Sequence, residues 1–130
     1  MKLIGAVALL LALTACGSDA EPKVAPTTAE LQQQACAEVR DGVEAFNAED
    51  YEGTVLHFKK AIDPATAFAK ASPKAEADDL LNAVRYYAGL QPREYPEAAR
   101  TSSDFAKYKA ITLGQCVPAG EVPTDDETLT

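Results

Sequence analysis

Residues 42–62 read GVEAFNAEDYEGTVLHFKKAI, and the fold turns on how this stretch is divided. Val43 and Phe46 end one run of apolar residues at helical spacing, and Tyr51, Val55, Phe58 and Ile62 begin another, with Leu56 beside them. Between the runs lies Asn47-Ala48-Glu49-Asp50, too polar and too short to be anything but a break. Asp50 is a good N-cap for the second run, because its carboxylate can accept from the first free amides of a helix. Two helical periods joined by so short a break predict an antiparallel helical hairpin.

The pattern extends in both directions. Towards the N-terminus the stripe continues through Leu31, Ala35 and Val39, with Gln32, Gln33, Glu38, Arg40, Asp41 and Glu44 falling mainly off it. Thr27-Thr28-Ala29-Glu30 offers a capping box, so a first helix is expected over 29–48. Towards the C-terminus, Asp63-Pro64 is expected to stop the second helix, since Pro lacks an amide proton and disfavours helix in the residue before it. An Ala-rich turn around Phe68 follows at 65–71. Ser72-Pro73 then reads as the start of a third helix with Ala77, Leu80, Leu81, Val84 and Ala88 on its apolar face and Gly89 as its C-cap.

Residues 90–96 read as a loop with Pro92 and Pro96 around Tyr95, and 97–100 as a single turn. Thr101-Ser102-Ser103-Asp104 supplies caps for a last helix carrying Phe105, Tyr108, Ile111 and Thr112 and ending near Gly114. No stretch alternates with a period of two, so the expected class is all-α: a small bundle or stacked hairpins of three to five helices. The hydrophobic fraction of 47% overstates the core, because 25 of the 130 residues are Ala.

The first sixteen residues, MKLIGAVALLLALTAC, concern address rather than fold. Lys2 precedes an apolar run of eleven residues, 3–13. A membrane span needs about 20, so the run has the length of a signal-peptide core. Leu13-Thr14-Ala15-Cys16 follows, and this resembles the lipobox of bacterial lipoproteins. That resemblance implies cleavage before Cys16, lipid on its sulfur and anchoring by two or three acyl chains, whose buried methylenes hold far better than one chain does. A cut near Ala15 that releases a soluble secreted protein is the plainer alternative. The expected divisions are a signal peptide at 1–15, a lipidated flexible tether at 16–28, a helical domain at 29–116 and a disordered acidic tail at 117–130. The partner implied is a lipid bilayer reached through acylated Cys16, at the outer face of the cell membrane, or the outer membrane if the host has one.

With Cys16 assigned to lipid, Cys36 and Cys116 remain. An exported domain this small has a thin core and sits where disulfides persist, so an intramolecular bridge is expected, with two free thiols or an intermolecular pair as the alternative. Closing an 80-residue span would contribute about 4.5 kcal/mol by the chain-entropy estimate.

Residues 42–62 also resemble part of a tetratricopeptide repeat. In that family a Gly allows close helix approach, Asp-Tyr-Glu opens the second helix, and Phe with Ala-Ile packs it; Gly42, Asp50-Tyr51-Glu52, Phe58 and Ala61-Ile62 stand in those places. The match departs at Glu49, where the family expects Gly, and at Thr54, where it expects Ala. Repeat arrays need about three copies to bury their faces, and only a faint second copy occurs, at 86–99. An ordinary antiparallel hairpin accounts for the same residues.

Chemistry-bearing motifs are sparse. Twelve Lys and Arg face twenty Asp and Glu, a net charge of −8, which argues against nucleic acid as a partner. The single His, His57, has Lys60 and Ala61 where a helical metal pair needs ligands. Asp78-Asp79 and Asp125-Asp126-Glu127 lack the spacing of a calcium loop. No Gly-x-Ser-x-Gly or phosphate loop occurs, so neither a cofactor nor an enzyme is expected. The remaining candidate is a binding patch of Arg85, Tyr86, Tyr87, Arg93 and Tyr95, residue types favoured at interfaces. The composition is similar to that of short lipoproteins from GC-rich bacteria such as actinobacteria, or from their phages. The function expected is therefore a membrane-anchored helical binding module for an envelope protein, peptide or glycan. A phage- or prophage-type surface lipoprotein that interferes with superinfection is the first alternative, and a small envelope enzyme the more distant one.

Overall fold

The computed structural model describes residues 24–118. The proposed signal peptide, Cys16, most of the tether and all but the first two residues of the acidic tail lie outside the described residues. Within them the chain is helical: α1 (Thr28–Asn47), α2 (Tyr51–Ala71), α3 (Ala75–Gly89), a 3-10 turn (Pro92–Glu94), α4 (Tyr95–Thr101) and α5 (Ser103–Cys116). The expected all-α class holds, and among the described residues no strand occurs.

The starts of α1, α2 and α5 follow from their caps. Thr27 accepts from the Glu30 amide while Glu30 reaches back to the Thr27 amide, a complete capping box. Asp50 accepts from the Gly53 amide at 2.9 Å, and Ser102 from that of Phe105 at 3.1 Å.

The turn from α1 to α2 is tight because α1 ends in a Schellman motif. The Asp50 amide donates to the Ala45 carbonyl and that of Glu49 to Phe46, at 2.9 and 3.0 Å. Such an ending needs a left-handed residue, and Glu49 takes that role with φ 59°. The chain thus places Glu where Gly is the least strained choice. Past the turn, α1 and α2 close on each other at Gly42, where an added Cβ would lie only 2.9 Å from Cε2 of Phe58.

Five expectations are corrected. Pro64 does not stop α2, which runs on to Ala71 with the proline inside it. An interior proline costs about 3 kcal/mol, but the buried stripe continues unbroken through Ala61, Ala65 and Phe68, so packing on both sides of the proline keeps the helix whole. That stripe, led by Thr54, Val55 and Phe58, is rotated from the expected one. Tyr51 and Ile62 are only half-buried, and Leu56 is exposed.

Ser72 serves as C-cap of α2 rather than N-cap of α3, which starts at Ala75 after Lys74 with no side-chain cap. Gly89 is the last residue of α3, with Leu90 as C-cap and no positive φ. Finally, the expected loop at 90–96 holds the 3-10 turn, and α4 already begins at Tyr95.

The helices pack around one core. α1 lies along α2, α2 against α3, and α5 closes the bundle against α3 and α1. Val39, Ala61, Ala65, Leu80 and Val84 are fully buried at its centre. Cys36 on α1 and Cys116, the last residue of α5, are joined as expected, with Cα atoms 4.8 Å apart. Arg40 strengthens the same junction by donating to the Cys116 carbonyl at 3.1 Å.

Two stability measurements test this frame. Glu49→Gly should stabilise the protein by about 1 kcal/mol in urea unfolding, since it relieves the left-handed strain; a loss of stability would mean the Glu side chain compensates for it. Reducing the disulfide, or replacing both cysteines by Ser, should cost roughly 2–5 kcal/mol. An unchanged midpoint would show that the bridge closes nothing the fold does not already hold.

Candidate functional site

Of the five patch residues, Tyr87 and Tyr95 are 4% and 1% exposed, so they are core residues and not contact residues. A phenol can be buried whole when its hydroxyl finds an acceptor. Tyr87 donates to the Phe105 carbonyl at 2.8 Å, and Tyr95 to the Tyr87 carbonyl at 2.5 Å. Tyr86 is half-buried and pairs with the Ser102 hydroxyl at 3.1 Å. Only Arg85 and Arg93 are exposed. The patch is corrected accordingly: its tyrosines join α3 to α4 and α5 from inside.

Around them the aromatic side chains form one network. Phe46, Tyr51, Phe58, Tyr86, Tyr87, Tyr95, Phe105 and Tyr108 are linked by ring centroids 4.8 to 6.4 Å apart. Every helix contributes to it, and of the nine aromatic residues in the chain only Phe68 stays outside. Burial pushes the hydroxyls of Tyr87 and Tyr95 well above the ordinary tyrosine range, and the neighbouring Tyr86 phenol adds to the rise in both. Both remain neutral hydrogen-bond donors at any physiological pH and are poor candidates for proton transfer.

Arg93 keeps a surface role. Standing on the 3-10 turn, it borders two open depressions. One, of about 470 Å³, is edged by Leu90, Glu94, Glu97, Ala98 and Thr101. The other, of about 360 Å³, is edged by Glu49, Asp50, Tyr51, Glu52, Pro92 and Pro96. The two are shallow and rimmed by five carboxylates around one guanidinium, a surface that suits a partner carrying positive charge.

A second cluster was missed by sequence reasoning. Glu38 and Asp41 on α1 meet His57 on α2, with Nδ1 of His57 2.9 Å from Oε2 of Glu38. Spacing within one helix sets His57 aside, but a signal for the pairing exists across the hairpin. Reflection about the turn at Glu49 places Asp41 opposite His57, and Glu38 lies one helical turn earlier on the same side.

Compared with known proteins, the chain matches no family model, no curated sequence and no solved structure.

The buried phenols give a pH-dependent signature. Their folded-state pKa values lie above the ordinary value of 10.0, so the stability they contribute is present below that pH and is lost as pH rises through and beyond it. The slope should approach about 1.4 kcal/mol per pH unit for each phenol. Urea unfolding at a series of alkaline pH values should show a steep loss, and Tyr95→Phe should flatten it. An identical slope in the variant would mean that Tyr95 is ionised in the folded protein.

Proposed function

We propose that the chain is an exported lipoprotein, held to a membrane through Cys16, whose helical domain is a small binding module. The observation that carries this reading is Leu13-Thr14-Ala15-Cys16 directly after a short apolar run. The Cys36–Cys116 bridge supports it independently, because structural disulfides belong to oxidising compartments outside the cytosol. Among the described residues no helix is long and apolar enough to cross a membrane; acyl chains on Cys16 would supply the affinity for a bilayer. A net charge of −8 would itself repel anionic headgroups.

Tethering matters for a module of this kind. A small domain with shallow depressions binds weakly, and confinement to one membrane raises its effective concentration towards envelope partners. The face around Arg93 is the contact surface we favour. Its partner is an envelope protein, peptide or glycan with a basic group for the carboxylates of Glu49, Glu52, Glu94 and Glu97.

The anchor is tested by expressing the full-length chain in bacteria fed labelled fatty acid. The wild type should take up label and enter the detergent phase on phase separation, whereas Cys16→Ser should do neither and should accumulate with its first fifteen residues attached. Equal partition of the two proteins would overturn the lipoprotein reading.

A further inference from the structure

The α1–α2 hairpin carries a cluster whose chemistry differs from that of the Arg93 face. A ring nitrogen of His57 and one carboxylate oxygen from each of Glu38 and Asp41 lie within 4.8 Å of one another. The close approach at Gly42 brings them together. There an added Cβ would stand 3.5 Å from Cβ of His57, so the imidazole is carried close to the α1 backbone. Glu38 and Asp41, three residues apart, project from adjacent positions of one helix face.

The charges around this cluster are unusual for the molecule. Arg40 lies between the two acids in sequence, yet its guanidinium is turned to the Cys116 carbonyl at the end of α5. Among the described residues the contact of His57 with Glu38 is the only side-chain ion pair within 4 Å, so Asp41 has no cationic side chain upon it. Two carboxylates therefore converge on one imidazole that is only 28% exposed. Like charges at this helical spacing repel, and a bound cation removes that repulsion.

We propose that Glu38, Asp41 and His57 bind one divalent transition-metal ion of the zinc type. Two carboxylates and a neutral imidazole supply a charge of −2, which matches a dication. The nitrogen donor selects zinc, copper or nickel over calcium and magnesium, which prefer oxygen alone. Ligand bonds of about 2.0–2.2 Å require the donors to draw in, and Asp41 sits on an exposed surface where its side chain can rotate. Three ligands from two helices leave water to complete the coordination, and the ion ties α1 to α2. As it binds, the ring nitrogen that takes the metal gives any proton it carries to solvent. This site does not depend on lipidation or on the Arg93 face.

The test uses the full-length protein in detergent, stripped of metal by chelation and titrated with Zn²⁺ by calorimetry. His57 is the chain's only histidine, so its ring resonances report binding without ambiguity. We expect one saturable ion per chain, with the His57 signals shifting at the same midpoint and Ca²⁺ causing no comparable change. His57→Gln and Asp41→Asn should each weaken binding at least about tenfold, with the helical circular dichroism retained. Asp41→Asn, at an exposed position, keeps the test decisive if His57→Gln perturbs folding. No saturable uptake, uptake indifferent to both substitutions, or equal competition by Ca²⁺ would overturn the proposal and leave His57 and Glu38 as a hydrogen-bonded pair between helices.

Discussion

Tyr87 and Tyr95 can occupy the interior only because each hydroxyl meets a backbone carbonyl, Tyr95 that of Tyr87 and Tyr87 that of Phe105. An unpaired buried hydroxyl would cost about 1–3 kcal/mol, so this two-step chain dictates where three segments must sit. The Tyr87 carbonyl lies near the end of α3, Tyr95 opens α4, and the Phe105 carbonyl lies in the first turn of α5. The short 3-10 turn and α4 are the linkage that lets Tyr95 reach back under α3. Phe46 and Phe58 then pack from the hairpin side, at 5.7 Å from Phe105 and 4.8 Å from Tyr87. A chain with so much Ala has few large side chains to spend, and it places nearly all its rings in one network.

Local signals in the sequence resolved the parts of the fold governed by local chemistry. Thr27 with Glu30, Asp50 and Ser102 cap the helices they were expected to cap, because a side-chain oxygen three residues ahead of a free amide has little else to do. Pairing Cys36 with Cys116 followed from counting cysteines once Cys16 was set apart. Pro64 misled because its cost is local, while the packing of Ala61, Ala65 and Phe68 that outweighs it is tertiary. Ser72-Pro73 misled for a related reason: the same residues that open a helix also close one, and α2 reached them first.

The candidate sites were less legible. Adjacent Tyr86 and Tyr87 look alike in sequence, yet the carbonyl that accepts from Tyr87 lies 18 residues away and no periodicity reports it. Arg93 could be placed on the surface but not at the rim shared by two depressions, which depends on α4 folding beside the α1–α2 turn. On its own helix His57 has only Lys60 and Ala61 at ligand spacing. Its partners come from the opposite arm of the hairpin, and the reflection that pairs them needs the turn to be centred on Glu49. That residue is also where the chain departs from the repeat pattern it resembles, and the left-handed backbone there is the conformation a Gly would take without strain.

The bridge from Cys36 to Cys116 has a mechanical consequence as well. Tension applied between the segment before Thr28 and the segment after Cys116 enters through the first turns of α1, crosses the sulfur–sulfur bond and leaves at once. The residues between the two cysteines, a span of 80 in sequence, are bypassed by the load. Such a load leaves the fold between the two cysteines intact and acts only on the start of α1, ahead of Cys36. The aromatic interior, the Arg93 face and the His57 cluster all lie within the shielded loop.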